Sequence, residues 1–147
     1  MKKSELIYPD ISIIRDLHEQ ALKTSGGGTE GEKSPGYIES ICEHIKNDNY
    51  YDTFVRKLAH LVFGIVQFHC FIDGNKRTSI TAGIYFLEMN GYSYVVKDFV
   101  NIMENTVIHV ATSKIDKELL TEILENILMK TYDDNIELKM KIIKAIE

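Results

Sequence analysis

Apolar residues recur along this chain at helical spacing. From Pro9 they fall at Ile11, Ile14, Leu17, Ala21 and Leu22, the three-to-four-residue interval of one helix face. Pro9 suits the first turn of that helix, where its fixed φ and missing N–H cost nothing. Ile38, Ile41, Cys42 and Ile45 repeat the pattern until Asn47-Asp48-Asn49 ends it. The most apolar segment, residues 53–69, carries Phe54, Leu58, Leu61, Val62, Ile65 and Phe68 on one side. Ala59, Phe63 and Val66 widen that stripe, so this helix is predicted to be central. A turn at residues 71–75 leads into a helix ending near Asn90. Residues 92–96 favour extended structure but are too short and isolated to imply a sheet. Amphipathic segments follow at residues 98–112, 115–130 and 135–146. The pattern predicts an all-α fold of six to seven helices.

One tract breaks the periodicity. Residues 26–36, Gly-Gly-Gly-Thr-Glu-Gly-Glu-Lys-Ser-Pro-Gly, hold five glycines and a proline and cannot stay helical. There is no internal repeat and no second-domain linker, so residues 1–147 are expected to form one domain. A length of 147 residues with 44% hydrophobic and 27% charged positions supports one core without disulfides or metals. Two cysteines, Cys42 and Cys70, cannot supply a disulfide framework, and this usage fits the reduced cytoplasm. The start of the chain turns polar before any signal-length apolar run develops, and residues 61–66 fall far short of a membrane span. Seventeen basic against 22 acidic residues gives a net charge of −5. That balance disfavours nucleic acid as a partner, while leaving room for a small phosphate site.

The stretch His69-Cys70-Phe71-Ile72-Asp73-Gly74-Asn75-Lys76-Arg77-Thr78 departs from helix-packing composition. Gly74 permits a tight turn and close approach to a ligand. Asn75 and Lys76 open the next helix, whose free N–H groups and dipole favour an anion. Two cations in that first turn oppose the bare dipole, and they make sense if a phosphate occupies the helix end. Asp73 beside it is suited to Mg²⁺, which takes one or two carboxylates plus substrate phosphates. His69 can supply a base that titrates near neutrality. Each part alone reads as a turn, a cap or a solvated face. Together, within nine residues, they describe transfer of a phosphorus-containing group.

The run His-x-Phe-x-Asp-Gly-Asn-Lys-Arg resembles the signature of the Fic/Doc (Fido) superfamily. Ile14-Arg15-Asp16-Leu17-His18-Glu19, the glycine-rich tract, Gly36-Tyr37-Ile38-Glu39-Ser40 and Leu87-Glu88-Met89-Asn90-Gly91 are similar to Doc-like members in order and spacing. The resemblance spans residues 5–128 and leaves residues 133–147 as an extra C-terminal helix. It implies a helical bundle with a short flap or β-hairpin, the glycine tract holding the target chain. It further implies His69 as the base toward a target-protein hydroxyl, with Lys76 and Arg77 also in the catalytic set. Phe71 is then an apolar anchor under the loop and Asp73 the Mg²⁺ ligand. Gly74, Asn75, Lys76 and Arg77 hold the phosphates of ATP. Lys76 stands where adenylyltransferase members carry glycine, and Ile80 where they carry a second arginine; both match the Doc branch. A γ-phosphoryl transfer is therefore expected, as in a toxin with a small antitoxin and a component of translation as target. AMP transfer and a non-catalytic binding module are the alternatives.

Four other features read as coincidence or packing. Gly26-x₄-Gly31 with Lys33-Ser34 lacks both the adjacent lysine and the preceding strand of a phosphate loop. Residues 121–126 fit an inhibitory glutamate pattern whose arginine partner is missing, and they look like ordinary helix core. His44, His60 and Cys42 show no zinc-like spacing, and His18-Glu19 lacks a metalloprotease's second histidine.

Overall fold

A computed structural model of the chain describes residues 5–34 and 36–147. The polar residues 1–4 and Pro35 of the glycine tract lie outside the described residues. The helices are α1 (Ile11–Thr24), α2 (Tyr37–His44), α3 (Phe54–Gln67), α4 (Asn75–Met89), α5 (Val96–Ala111), α6 (Lys117–Leu128) and α7 (Ile136–Ile146). Among the described residues there is no strand, and the fold is all-α as expected. The glycine tract forms no hairpin; it makes one isolated antiparallel bridge, from Glu32 to Phe71.

Helix starts follow local chemistry. Asp10, Thr53, Asp116 and Asn135 each accept a backbone N–H three residues on, from Ile13, Arg56, Leu119 and Leu138 respectively. Pro9 therefore precedes the cap of α1 instead of opening its first turn. For the same reason α6 begins after Asp116, and Ile115 is buried outside the helix. The β-prone run at residues 92–96 has no strand to pair with. It becomes a 3-10 turn (Ser93–Val95) whose Val95 is fully buried and leads directly into α5.

The centre of the molecule is α3, which packs against α2, α4, α5 and α6. Leu58, Leu61, Val62 and Ile65 have no exposure, and the core they begin extends to Leu138 on α7. One charged side chain shares that interior. The Lys57 ammonium is fully buried, donating to the Ile45 carbonyl at 2.6 Å and to Asp48 Oδ1 at 2.7 Å. α4 and α5 meet at Gly83, where a Cβ would lie 2.4 Å from Cζ of Phe99. Only a residue without a side chain admits that ring. No helix among the described residues is long and apolar enough to cross a membrane.

Candidate active site

The site is built at the turn between α3 and α4. The end of α3 is a Schellman motif: the N–H of Cys70 donates to the Ile65 carbonyl, and the N–H of His69 to that of Val66. This motif needs a left-handed residue, most often glycine, and here His69 fills it with φ at 47°. The exposed imidazole is thereby directed off the helix end while Cys70 turns inward and is fully buried. Burial pushes the Cys70 thiol up to about 12, with the Glu32 carboxylate and Cys42 adding to it. Burial likewise raises Cys42 to about 11, so neither cysteine is a nucleophile near neutral pH.

The loop that follows is braced from three sides. Asn75 closes it from within: Oδ1 accepts the N–H of Phe71 and Nδ2 donates to the Phe71 carbonyl, both at 2.8 Å. Its side chain thus braces the loop, with one Nδ2 hydrogen left over beside the backbone N–H. From below, His18 of α1 stacks on Phe71, with ring centroids 3.8 Å apart and planes 7° from parallel. His18 Nε2 lies 2.7 Å from the carbonyl oxygen of Asp73. A carbonyl only accepts, so Nε2 carries the proton. From the side, the glycine tract lies along the loop: Lys33 N–H donates to the Cys70 carbonyl and Ile72 N–H to that of Gly31, both at 3.0 Å. Arg15 Nε ties the tract to α1 through Glu32 Oε2 at 2.8 Å.

These contacts converge on Asp73. Its Oδ1 accepts the N–H of Gly74 at 2.9 Å, and its Oδ2 lies 3.4 Å from the N–H of Thr29 in the glycine tract. A Cβ on Gly28 would fall 2.9 Å from Oδ2 and 2.8 Å from Leu22 Cδ2, which explains glycine there. His18 was not expected at this place from the sequence. Its one signal is its position between Ile14 and Leu22 on the buried face of α1.

Beyond Asp73 the chain passes through Gly74, at φ 78°, into α4. Unlike α1, α3, α6 and α7, this helix has no capping side chain, so its first N–H groups receive no side-chain acceptor. Lys76 and Arg77 are exposed, and among the described residues neither has a carboxylate within ion-pair distance. Asp73, Gly74, Asn75, Lys76 and Arg77 together line one end of an open pocket of about 520 Å³. Its apolar walls come from Ile80 and Ile84 of α4 and from Val100, Val107 and Ile108 of α5, with Glu104 beside them. Ile80 thus stands on the pocket wall. His69 is not part of the lining and lies on the other side of Asp73 along the loop.

The glutamate pattern of residues 121–126 and the histidines of α2 and α3 lie elsewhere. Glu125 and Glu122 line a different pocket, with Tyr50, Tyr51 and Lys117, and Glu122 pairs with Lys141 of α7. His60 stacks on Tyr51, and burial, Lys117 and His44 hold its imidazole down to about 4. No group of three or more metal-ligating side chains occurs among the described residues.

A family model described as the Fic/DOC family matches residues 8–87, more than half of the chain. The chain belongs to the Fic/DOC family. The match takes in α1, the glycine tract, the whole loop and nearly all of α4, the elements whose contacts build the site. Membership carries the general character of a Fic-type, nucleotide-using transferase. No curated protein matches the chain.

Proposed function

We propose that this Fic/DOC protein is a Doc-like protein kinase, moving the γ-phosphoryl group of ATP to a hydroxyl side chain of a target protein. The observation that carries this reading is the charge set of the pocket. Among the described residues its only cations are Lys76 and Arg77 in the first turn of α4, and the next turn presents Ile80 to the same space. An apolar side chain there offers nothing to a phosphate one turn further along the helix. Phosphates gathered at the turn, with the nucleoside against the apolar walls, fit these residues.

The residues also fit Mg²⁺. Asp73 is an exposed carboxylate at the phosphate end of the pocket, and its hydrogen bonds leave lone pairs on both oxygens. One carboxylate suffices for an ion that takes its remaining ligands from phosphate and water. Bound there, Mg²⁺ would supply positive charge to the phosphate oxygens. In the transfer itself His69 takes the hydroxyl proton as the target oxygen attacks the γ-phosphorus. The bond from that phosphorus to the β–γ bridging oxygen breaks, and ADP leaves. Lys76, Arg77 and the backbone N–H groups of Asn75 to Arg77 face the charge that develops on the phosphoryl oxygens. The Doc-like signature also supports a toxin role, with a component of translation as target and a small antitoxin as partner.

The test is label transfer from ATP carrying its label at either the α or the γ position, in cell lysate, with His69→Ala as control. Transfer of γ-label that needs His69 is expected. Transfer of α-label would replace the reading by AMP transfer. Neither label, with the protein folded, would leave a binding module.

A further inference from the structure

We infer that His18, a residue of α1 far from the loop in sequence, is a positioning residue for the site, holding the Asp73–Gly74 peptide so that the Asp73 carboxylate and the start of α4 face the same pocket. The inference rests on the transferase reading above for its kinetic consequences, but not for its structural ones.

Between the end of α3 and the start of α4 the chain has no helical hydrogen bonds of its own to fix each peptide plane. The Asp73–Gly74 peptide is the one on which the site depends, because it sets both the carboxylate and the first N–H groups of α4. It is gripped at both ends: the carbonyl by His18 Nε2–H at 2.7 Å, the N–H by Asp73 Oδ1 at 2.9 Å. The second grip is local to Asp73 and would travel with the peptide if it rotated. Only the first ties the peptide to another element. Thr29 offers a second external contact, but at 3.4 Å it is weak.

His18 is itself well anchored for this task. It is 5% exposed, and its ring lies flat on Phe71, which is 2% exposed. Phe71 is bound through its backbone to Asn75 in both directions. The imidazole is thus fixed in plane by the stack and aimed in that plane at the carbonyl. A Cβ on Gly74 would come within 3.6 Å of Nε2, so the turn sits directly on this ring. Apolar packing alone would require only bulk at position 18. The short, directed hydrogen bond requires a donor at the distance of Nε2.

Two substitutions separate bulk from donor. His18→Gln places an amide N–H near the position of Nε2, while His18→Leu fills the volume without a donor. Both lose the ring stack, so both should lower the melting temperature by similar amounts. In the nucleotide-free protein, amide exchange at Gly74 should quicken in His18→Leu and remain near wild type in His18→Gln. Binding of ADP in the presence of Mg²⁺, and kcat of label transfer, should fall by about 10–100-fold in His18→Leu and largely recover in His18→Gln. The proposal is overturned if the two variants behave alike in Gly74 exchange, or if His18→Leu leaves exchange and Mg²⁺-dependent ADP binding unchanged. Failure of wild-type protein to bind ADP or transfer label would instead remove the transferase reading. The exchange result would still decide the role of His18.

Discussion

Lys57 and Lys76 stand on α3 and α4, which pack against each other, yet the fold treats their charges in opposite ways. The ammonium of Lys57 is removed from water and matched at once by a carbonyl and a carboxylate, with the ring of Tyr8 at 5.4 Å. Lys76, and Arg77 beside it, are left in solvent with no carboxylate in reach, at a helix start whose dipole they oppose. A buried cation must be answered by the protein because nothing else can answer it. An exposed pair placed against the local field keeps its charge available for a ligand. The contrast separates a cation that the fold answers from two that it leaves unanswered.

Substitutions can break that contrast at either end. The largest effect is expected from Arg77→Ala: label transfer should fall by about 10³–10⁵-fold with the melting temperature unchanged. Near-normal transfer by that variant would remove Arg77 from the transition state. Lys57→Met should do the reverse. It strips the buried Ile45 carbonyl of its Lys57 donor, and urea unfolding should show a loss of about 1–3 kcal/mol, while the protein that stays folded retains its activity. If Lys57→Met instead matched wild type in stability, the buried ammonium would be a neutral replacement for apolar packing.

The smallest shift is the most pointed. His69 occupies a left-handed position that glycine fills at lower cost, and among the described residues its side chain has no hydrogen-bond partner. His69→Gly should therefore raise stability by up to about 1 kcal/mol while abolishing transfer. A destabilised His69→Gly would mean that the imidazole serves the fold.

The sequence carried the helices because their signal is local. Leu58, Leu61, Val62 and Ile65 mark the buried face of α3 by spacing alone, and Asp10, Thr53, Asp116 and Asn135 stop and start helices through atoms three residues away. The loop was legible too, since His69, Asp73, Gly74, Lys76 and Arg77 are an unusual company within nine residues. What the sequence hid depends on contacts between distant positions. His18 reaches a carbonyl 55 residues on, and Glu32 pairs with Phe71 across the intervening helices α2 and α3. Lys57 reads along the chain as an ordinary helix cation, and only the closing of residues 45–48 over it makes it interior. That the Asn75 amide closes on both backbone groups of Phe71 was likewise hidden, because only the folded loop brings them together.

The ring of Phe99 seated on Gly83 has a consequence for the ligand. The pocket lies between α4 and α5, and the same two helices meet in the core where Phe99 rests on Gly83. Any side chain at position 83 would push against that ring and wedge the two helices apart. The cleft is in effect a caliper whose setting screw is buried, out of reach of anything that enters it.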